Sequence, residues 1–110
     1  MTIDLLSRHC APLPKGTPPL KGKAADPYLA AVSGRWKVVD DHHLEGEFAF
    51  EDFLGALAFT NRAGGAAETE GHHPDITLTW GKATVRIWTH SIGGLSENDF
   101  ILAARLDTLA

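Results

Sequence analysis

Hydrophobic and polar positions change rhythm several times along this chain, and each change marks an element. Leu44, Phe48 and Phe50 recur at even spacing, which predicts a strand from Leu44 to Phe50. From Glu51 the rhythm lengthens. Phe53, Leu54, Leu57, Ala58 and Asn61 follow i, i+3, i+4 spacing and predict an amphipathic helix running on toward Glu70. Gly64-Gly65 weakens its middle by about 1 kcal/mol per glycine. Alternation then returns, with Ile76, Leu78 and Trp80 set against Asp75, Thr77 and Thr79, and Val85, Ile87 and Thr89 set against Thr84, Arg86, Trp88 and His90. Gly81-Lys82 fits a two-residue type II′ turn, glycine first, joining strands Asp75–Trp80 and Ala83–His90.

The flanks complete the pattern. Asp26-Pro27 reads as an N-cap and a first-turn proline, opening a helix through Tyr28, Leu29, Ala31 and Val32 that stops at Gly34. Trp36 to Asp40 is a short strand followed by a polar turn around Asp41-His42. After the loop Ile92-Gly93-Gly94-Leu95, Ser96 caps a last helix through Phe100, Ile101, Ala104 and Leu109, and Asp99 stands where a capping box needs its acid. The order α-β-β-α-β-β-α predicts an α+β two-layer sandwich, a four-stranded antiparallel sheet with three helices on one face. Residues 26–110 form this domain. Residues 1–25 form a proline-rich N-terminal arm, in which Pro12, Pro14, Pro18 and Pro19 exclude a helix. Such an arm lies on the body, stays mobile, or serves as a docking peptide in polyproline form. The open sheet face and edge strands leave room for self-association.

Composition narrows the function. With 110 residues there is room for one core, and a net charge of -4 argues against nucleic acid as a partner. No apolar run is long enough for a membrane span, and the N-terminus lacks the pattern of a signal peptide. Cys10 stands alone, far from any metal-binding spacing, so a reducing, cytoplasmic setting is expected; a nucleophilic role has no neighbouring base to support it.

The candidate chemistry lies in the histidines, of which there are six. With the turn at Gly81-Lys82, His73 faces His90, so His72, His73 and His90 converge at the open end of one hairpin. Imidazole exchanges protons near neutrality, and several around one cavity can protonate a leaving hydroxyl while withdrawing a proton elsewhere. Glu68, one turn before His72, is placed to orient that ring, and Asp99 to orient another. Three histidines with Glu68 or Asp99 could also satisfy zinc, but adjacent histidines in an extended segment point to opposite faces, so no metal site is expected. His42, His43 and His9 read as solvated.

The run Glu68-x-x-x-His72-His73-Pro74, then five residues to Trp80, nine to His90 and eight to Asp99, resembles the signature of the pterin-4a-carbinolamine dehydratase family. Leu57–Asn61, Glu70–Pro74 and Thr89–Ile101 are similar to bacterial members, and the resemblance covers about residues 26–108. It implies the same α+β fold and a hydro-lyase that dehydrates 4a-hydroxytetrahydrobiopterin to quinonoid dihydropterin, recycling the cofactor of aromatic amino-acid hydroxylases without metal or organic cofactor. It implies His72, His73 and His90 as catalytic and binding imidazoles, Glu68 and Asp99 in support, and Gly71, His72, His73, Trp88, Thr89, His90 and Ser91 around the pterin. A homodimer or homotetramer is implied as well.

Two other readings stay open. Some relatives act as binding modules, either a dimerisation cofactor of a homeodomain protein or an assembly factor for a carbon-fixing enzyme, and the arm is where a protein partner would dock. An enzyme acting on a different pterin, for instance in molybdenum-cofactor metabolism, would carry the same site.

Overall fold

The computed structural model describes residues 3–110. Helices α1 (Asp26–Leu29), α2 (Phe53–Glu70) and α3 (Glu97–Asp107) accompany strands β1 (Lys37–Val39), β2 (His43–Ala49), β3 (Asp75–Thr79) and β4 (Lys82–Ile87). The strands form one antiparallel sheet in the order β1-β2-β4-β3. This is the expected α+β sandwich.

Alternation along the strands divides the sheet's faces. Leu44, Phe48, Ala83, Val85 and Ile87 are buried beneath α2 and α3, joined by Phe59, Phe100, Ile101, Leu102 and Leu106. The opposite face carries a charge ladder in which Glu45 meets Lys37 at 3.6 Å and Arg86 at 2.9 Å. Gly46 sits on the apolar face because Trp36 covers it. A Cβ there would come within 2.6 Å of the indole, which is itself tied to Asp107 at 3.0 Å.

Four expectations change. The first helix is a single turn ending at Leu29, because Ser33 gives its N–H and hydroxyl to Asp107, both at 2.9 Å, instead of extending the coil. In α2 the buried stripe is Ala56, Phe59, Ala63 and Ala67, while Leu54 is 71% exposed. Asp52 caps this helix through Gly55 N–H at 2.8 Å, and Gly64-Gly65 passes without a break on the exposed side. Small side chains bring the helix close, so apolar size is a poor guide to its inner face.

The second hairpin turns at Trp80-Gly81, not Gly81-Lys82. Thr79 pairs with Lys82 and Asp75 with Arg86, and Gly81 takes a φ of 72° at the second turn position. Finally, β4 stops at Ile87. Thr89 leaves the ladder to bridge Gly94, and His90–Ile92 form one 3-10 turn. The arm lies on the body: Leu5 is buried against α3, Leu20 bridges Leu95, and no α-helix forms across the prolines.

Candidate active site

The C-terminus of α2 sets the first imidazole. Gly71 adopts a left-handed conformation with φ 65°, its N–H bonding to Glu68 O at 3.2 Å, while His72 N–H reaches back to Ala67 O at 3.1 Å. This Schellman closure turns the chain sharply and delivers His72 inward. There His72 Nε2 meets Asp99 Oδ1 at 2.5 Å.

Asp99 is fully buried in the first turn of α3. Its other oxygen, Oδ2, accepts from Ser96 N–H at 2.8 Å and from the Thr89 hydroxyl at 2.9 Å; the Thr89 and Ser96 hydroxyls are 2.7 Å apart. The capping box expected from sequence is therefore present and has a second use. The carboxylate that closes the helix also grips the imidazole. With Nε2–H donated to Asp99, His72 keeps Nδ1 for a bound molecule.

His73 turns away from His72. It is largely exposed, and its Nε2 lies 3.3 Å from Oε1 of the exposed Glu68. The expected partnerships are thus corrected: Glu68 serves His73, and Asp99 serves His72. The corrected register matters too, since continuing the β3–β4 pairing places His73 opposite Trp88 instead of His90. His90 nonetheless reaches the same place from its 3-10 turn, stacking at a tilt on Trp88 with ring centroids 4.6 Å apart.

Gly71, His72, His73, Trp88, Thr89, His90 and Ser91 line one cleft of about 210 Å³. These are the residues that the resemblance placed around a pterin. The cleft is smaller than a drug-sized pocket. Among the described residues, no three His, Cys, Asp or Glu side chains gather as a metal ion would need. No helix of these residues is long and apolar enough to cross a membrane.

His42 and His43, read as solvated, are half-buried and belong to this neighbourhood. Their rings lie 5.2 and 6.0 Å from Trp88, and their Nδ1 atoms are 3.0 Å apart. Burial, reinforced by His42, lowers the His43 pKa. Their position follows from the pairing of Leu44 with Ile87, which sets the start of β2 beside the end of β4. Local pattern carries no signal of that non-sequential pairing.

The sheet order and the helices over one face define a known class of small α+β proteins. The solved pterin dehydratase/transcriptional coactivator from Brucella melitensis superposes with a TM-score of 0.77 at 29% identity, over 84% of this chain and 98% of its own. A pterin dehydratase-like protein identified as a RuBisCO assembly factor of the alpha-carboxysome matches with a TM-score of 0.57 at 25% identity, over 69% of this chain and 87% of its own.

Sequence narrows the class. A protein of Alkaliphilus metalliredigens is 48% identical, covering 94% of both chains, and one of Rubrobacter xylanophilus is 45% identical, covering 96% of this chain and 98% of its own; both bear the provisional name pterin-4-alpha-carbinolamine dehydratase. The model of the pterin 4 alpha carbinolamine dehydratase family matches residues 18–109, and the chain belongs to that family.

Proposed function

We propose that this chain dehydrates 4a-hydroxytetrahydropterins by histidine acid/base catalysis. The observation that carries the proposal is His72, held by a fully buried carboxylate at the wall of a cleft that His73 and His90 also line.

In the reaction the C4a–O bond breaks, N5 loses its proton, and a C4a=N5 double bond forms. One proton is delivered to the departing hydroxyl and one is taken from N5, so water and quinonoid dihydropterin result with no change of oxidation state. Two imidazoles on different walls suit such paired transfers. His72, with Nδ1 free and its ring fixed, and His90 form the acid/base pair, and His73 orients the ring system. The two stereoisomers at C4a exchange the roles of His72 and His90. In this reading main-chain groups of Gly71–His73 and Trp88–Ser91 bind the edge of the pterin.

Stopped-flow absorbance of freshly generated 4a-hydroxytetrahydropterin tests this directly. Wild type should accelerate the decay, and His72→Ala and His90→Ala should each lose roughly 10²–10⁴-fold in kcat. A folded wild type without acceleration would overturn the proposal and favour a binding role such as that of the similar RuBisCO assembly factor.

A further inference from the structure

The proline-rich arm takes no part in the acid/base chemistry above, yet Cys10 and Ala11 lie between the two helices that carry the His72–Asp99 dyad. Helix α2 ends at Glu70, just before Gly71 and His72, and α3 begins at Glu97, just before Asn98 and Asp99. Both helix ends reach for the same dipeptide. From α2, Glu70 Oε1 accepts Cys10 N–H at 2.7 Å. From α3, Asn98 clasps the main chain of Ala11, its Oδ1 accepting the N–H at 3.1 Å and its Nδ2 donating to the carbonyl at 2.8 Å.

These bonds are sheltered. The Glu70 side chain is 4% exposed and Asn98 is buried, so water competes poorly for either. Glu70 Oε2 meets His9 Nδ1 at 3.0 Å and Arg105 Nε, from α3, at 3.1 Å, and Arg105 also donates to the Arg8 carbonyl at 2.7 Å. Among the described residues, the polar links between the two helix ends are the dyad itself, the Glu70–Arg105 ion pair and the bonds through residues 8–11. A contact as short as that of His72 with Asp99 tolerates little movement of one helix end against the other.

Resting on the dehydratase reading, we propose that Cys10–Ala11 is a splint across α2 and α3, and that Glu70 and Asn98 are positioning residues which, through it, hold His72 in line with Asp99 for proton transfer. The arm contributes main-chain groups to Glu70 and Asn98, so the identities of those two side chains matter more than those of Cys10 and Ala11.

The test compares Glu70→Ala, Asn98→Ala, their double variant and Glu70→Gln in the full chain. Each single Ala variant should lower kcat roughly 10- to 100-fold with KM within about twofold of wild type, because a misplaced acid/base group loses turnover before binding. The double variant should fall within about threefold of the worse single one, since the splint is released only once. Glu70→Gln keeps an acceptor for Cys10 N–H and should stay within about threefold of wild type in kcat. Long-range ¹H–¹⁵N spectra of the imidazoles, at about pH 8, read the dyad without turnover. His72 should carry its proton on Nε2 in wild type and Glu70→Gln, and on both nitrogens in the Ala variants.

Ala variants that expose Cys10 to alkylation yet keep kcat and the single tautomer would overturn the proposal. So would a Glu70→Gln loss as large as that of Glu70→Ala, which would assign the effect to the charge facing Arg105. Should an Ala variant not fold, Ala11→Pro, which withdraws only the Ala11 N–H from Asn98, carries the same expectations and the same refutation. If wild type turns over no 4a-hydroxytetrahydropterin while the spectra change as expected, the dehydratase reading fails and the splint stands. If the spectra do not change either, both fail.

Discussion

On one wall of the cleft, His72 is nearly buried and gripped at 2.5 Å by a carboxylate that has no exposure at all. On the other, His73 has a side chain 62% exposed and faces a Glu68 side chain that is itself 82% exposed, and the His90 ring leans on Trp88 with no side-chain hydrogen bond among the described residues. The same side chain type is held in two different ways. Burial excludes competing water from the His72–Asp99 bond, so that ring has one orientation and one tautomer at rest. The exposed pair gains little from its ion contact and remains free to adjust to a substrate. A site that must transfer protons at fixed atoms, and also admit and release a flat ligand, has a use for both.

Asp99→Asn attacks the rigid wall and should have the largest effect. The amide would offer N–H where His72 Nε2–H now donates, or else leave Ser96 and Thr89 facing a donor. Either choice moves the His72 proton to the wrong nitrogen or breaks the Asp99 half of the α3 capping box. Loss of kcat by about 10³-fold is expected, with about 1–3 kcal/mol of stability lost in denaturant titration. Activity within threefold of wild type would erase the distinction between the walls.

A second test probes how closed the buried side is. Burial first, then Glu70, pushes the Cys10 thiol pKa up to about 12. Glu70 itself stays below the usual carboxylate range. Burial alone would raise it, but bonds from Cys10 N–H and His9 together with the charge of Arg105 outweigh that. Alkylation of Cys10 by iodoacetamide at pH 8 should therefore run roughly 10²-fold slower than for an unperturbed thiol. Labelling at the free-thiol rate would mean that the arm opens readily.

The Trp88 side should respond to pH instead. The folded pKa of His43 lies below its unfolded value because burial, then His42, disfavour its charged form, with Arg86 adding to this and Glu45 and Asp40 opposing. The unfolded chain then binds more protons in the window just below pH 6.5, so this contribution to stability is complete above 6.5 and is lost as pH falls through the folded pKa. His43→Gln should flatten the decline of Tm between pH 7 and 5. A decline as steep as that of wild type would remove His43 as its source. Smallest of all, Glu68→Gln should change kcat less than threefold and stability by less than about 1 kcal/mol.

How much of this was legible in the sequence follows from what local patterns encode. The alternation in Ile76–Leu78 and Val85–Ile87 announced strands and faces, and Ser96 with Asp99 announced a capped helix. Register was a different matter. Turning at Trp80-Gly81 moves every partner by two places, and a two-place shift leaves each side chain on its own face. Alternation is blind to it, so local pattern sets His73 against His90, whereas Trp88 is its neighbour in register. Helical spacing pairs Glu68 with His72, but that spacing ceases at the left-handed Gly71 and Glu68 meets His73. His42 and His43 were beyond reach because β2 meets β4 across a gap of some forty residues. What gathered the cleft in spite of these errors was that its residues cluster at two chain segments, 71–73 and 88–91.

The double use of Asp99 has an evolutionary corollary. On the proposed function, a descendant that gives up catalysis for a scaffolding role no longer needs the His72 imidazole, and its loss costs the buried Asp99 one of its partners. Asp99 is harder to lose, because Ser96 N–H and the Thr89 hydroxyl would then lose a buried acceptor and the last helix half of its capping box. Retention of the aspartate in a relative is therefore evidence of folding alone, and the histidine beside it is the better marker of an enzyme still at work.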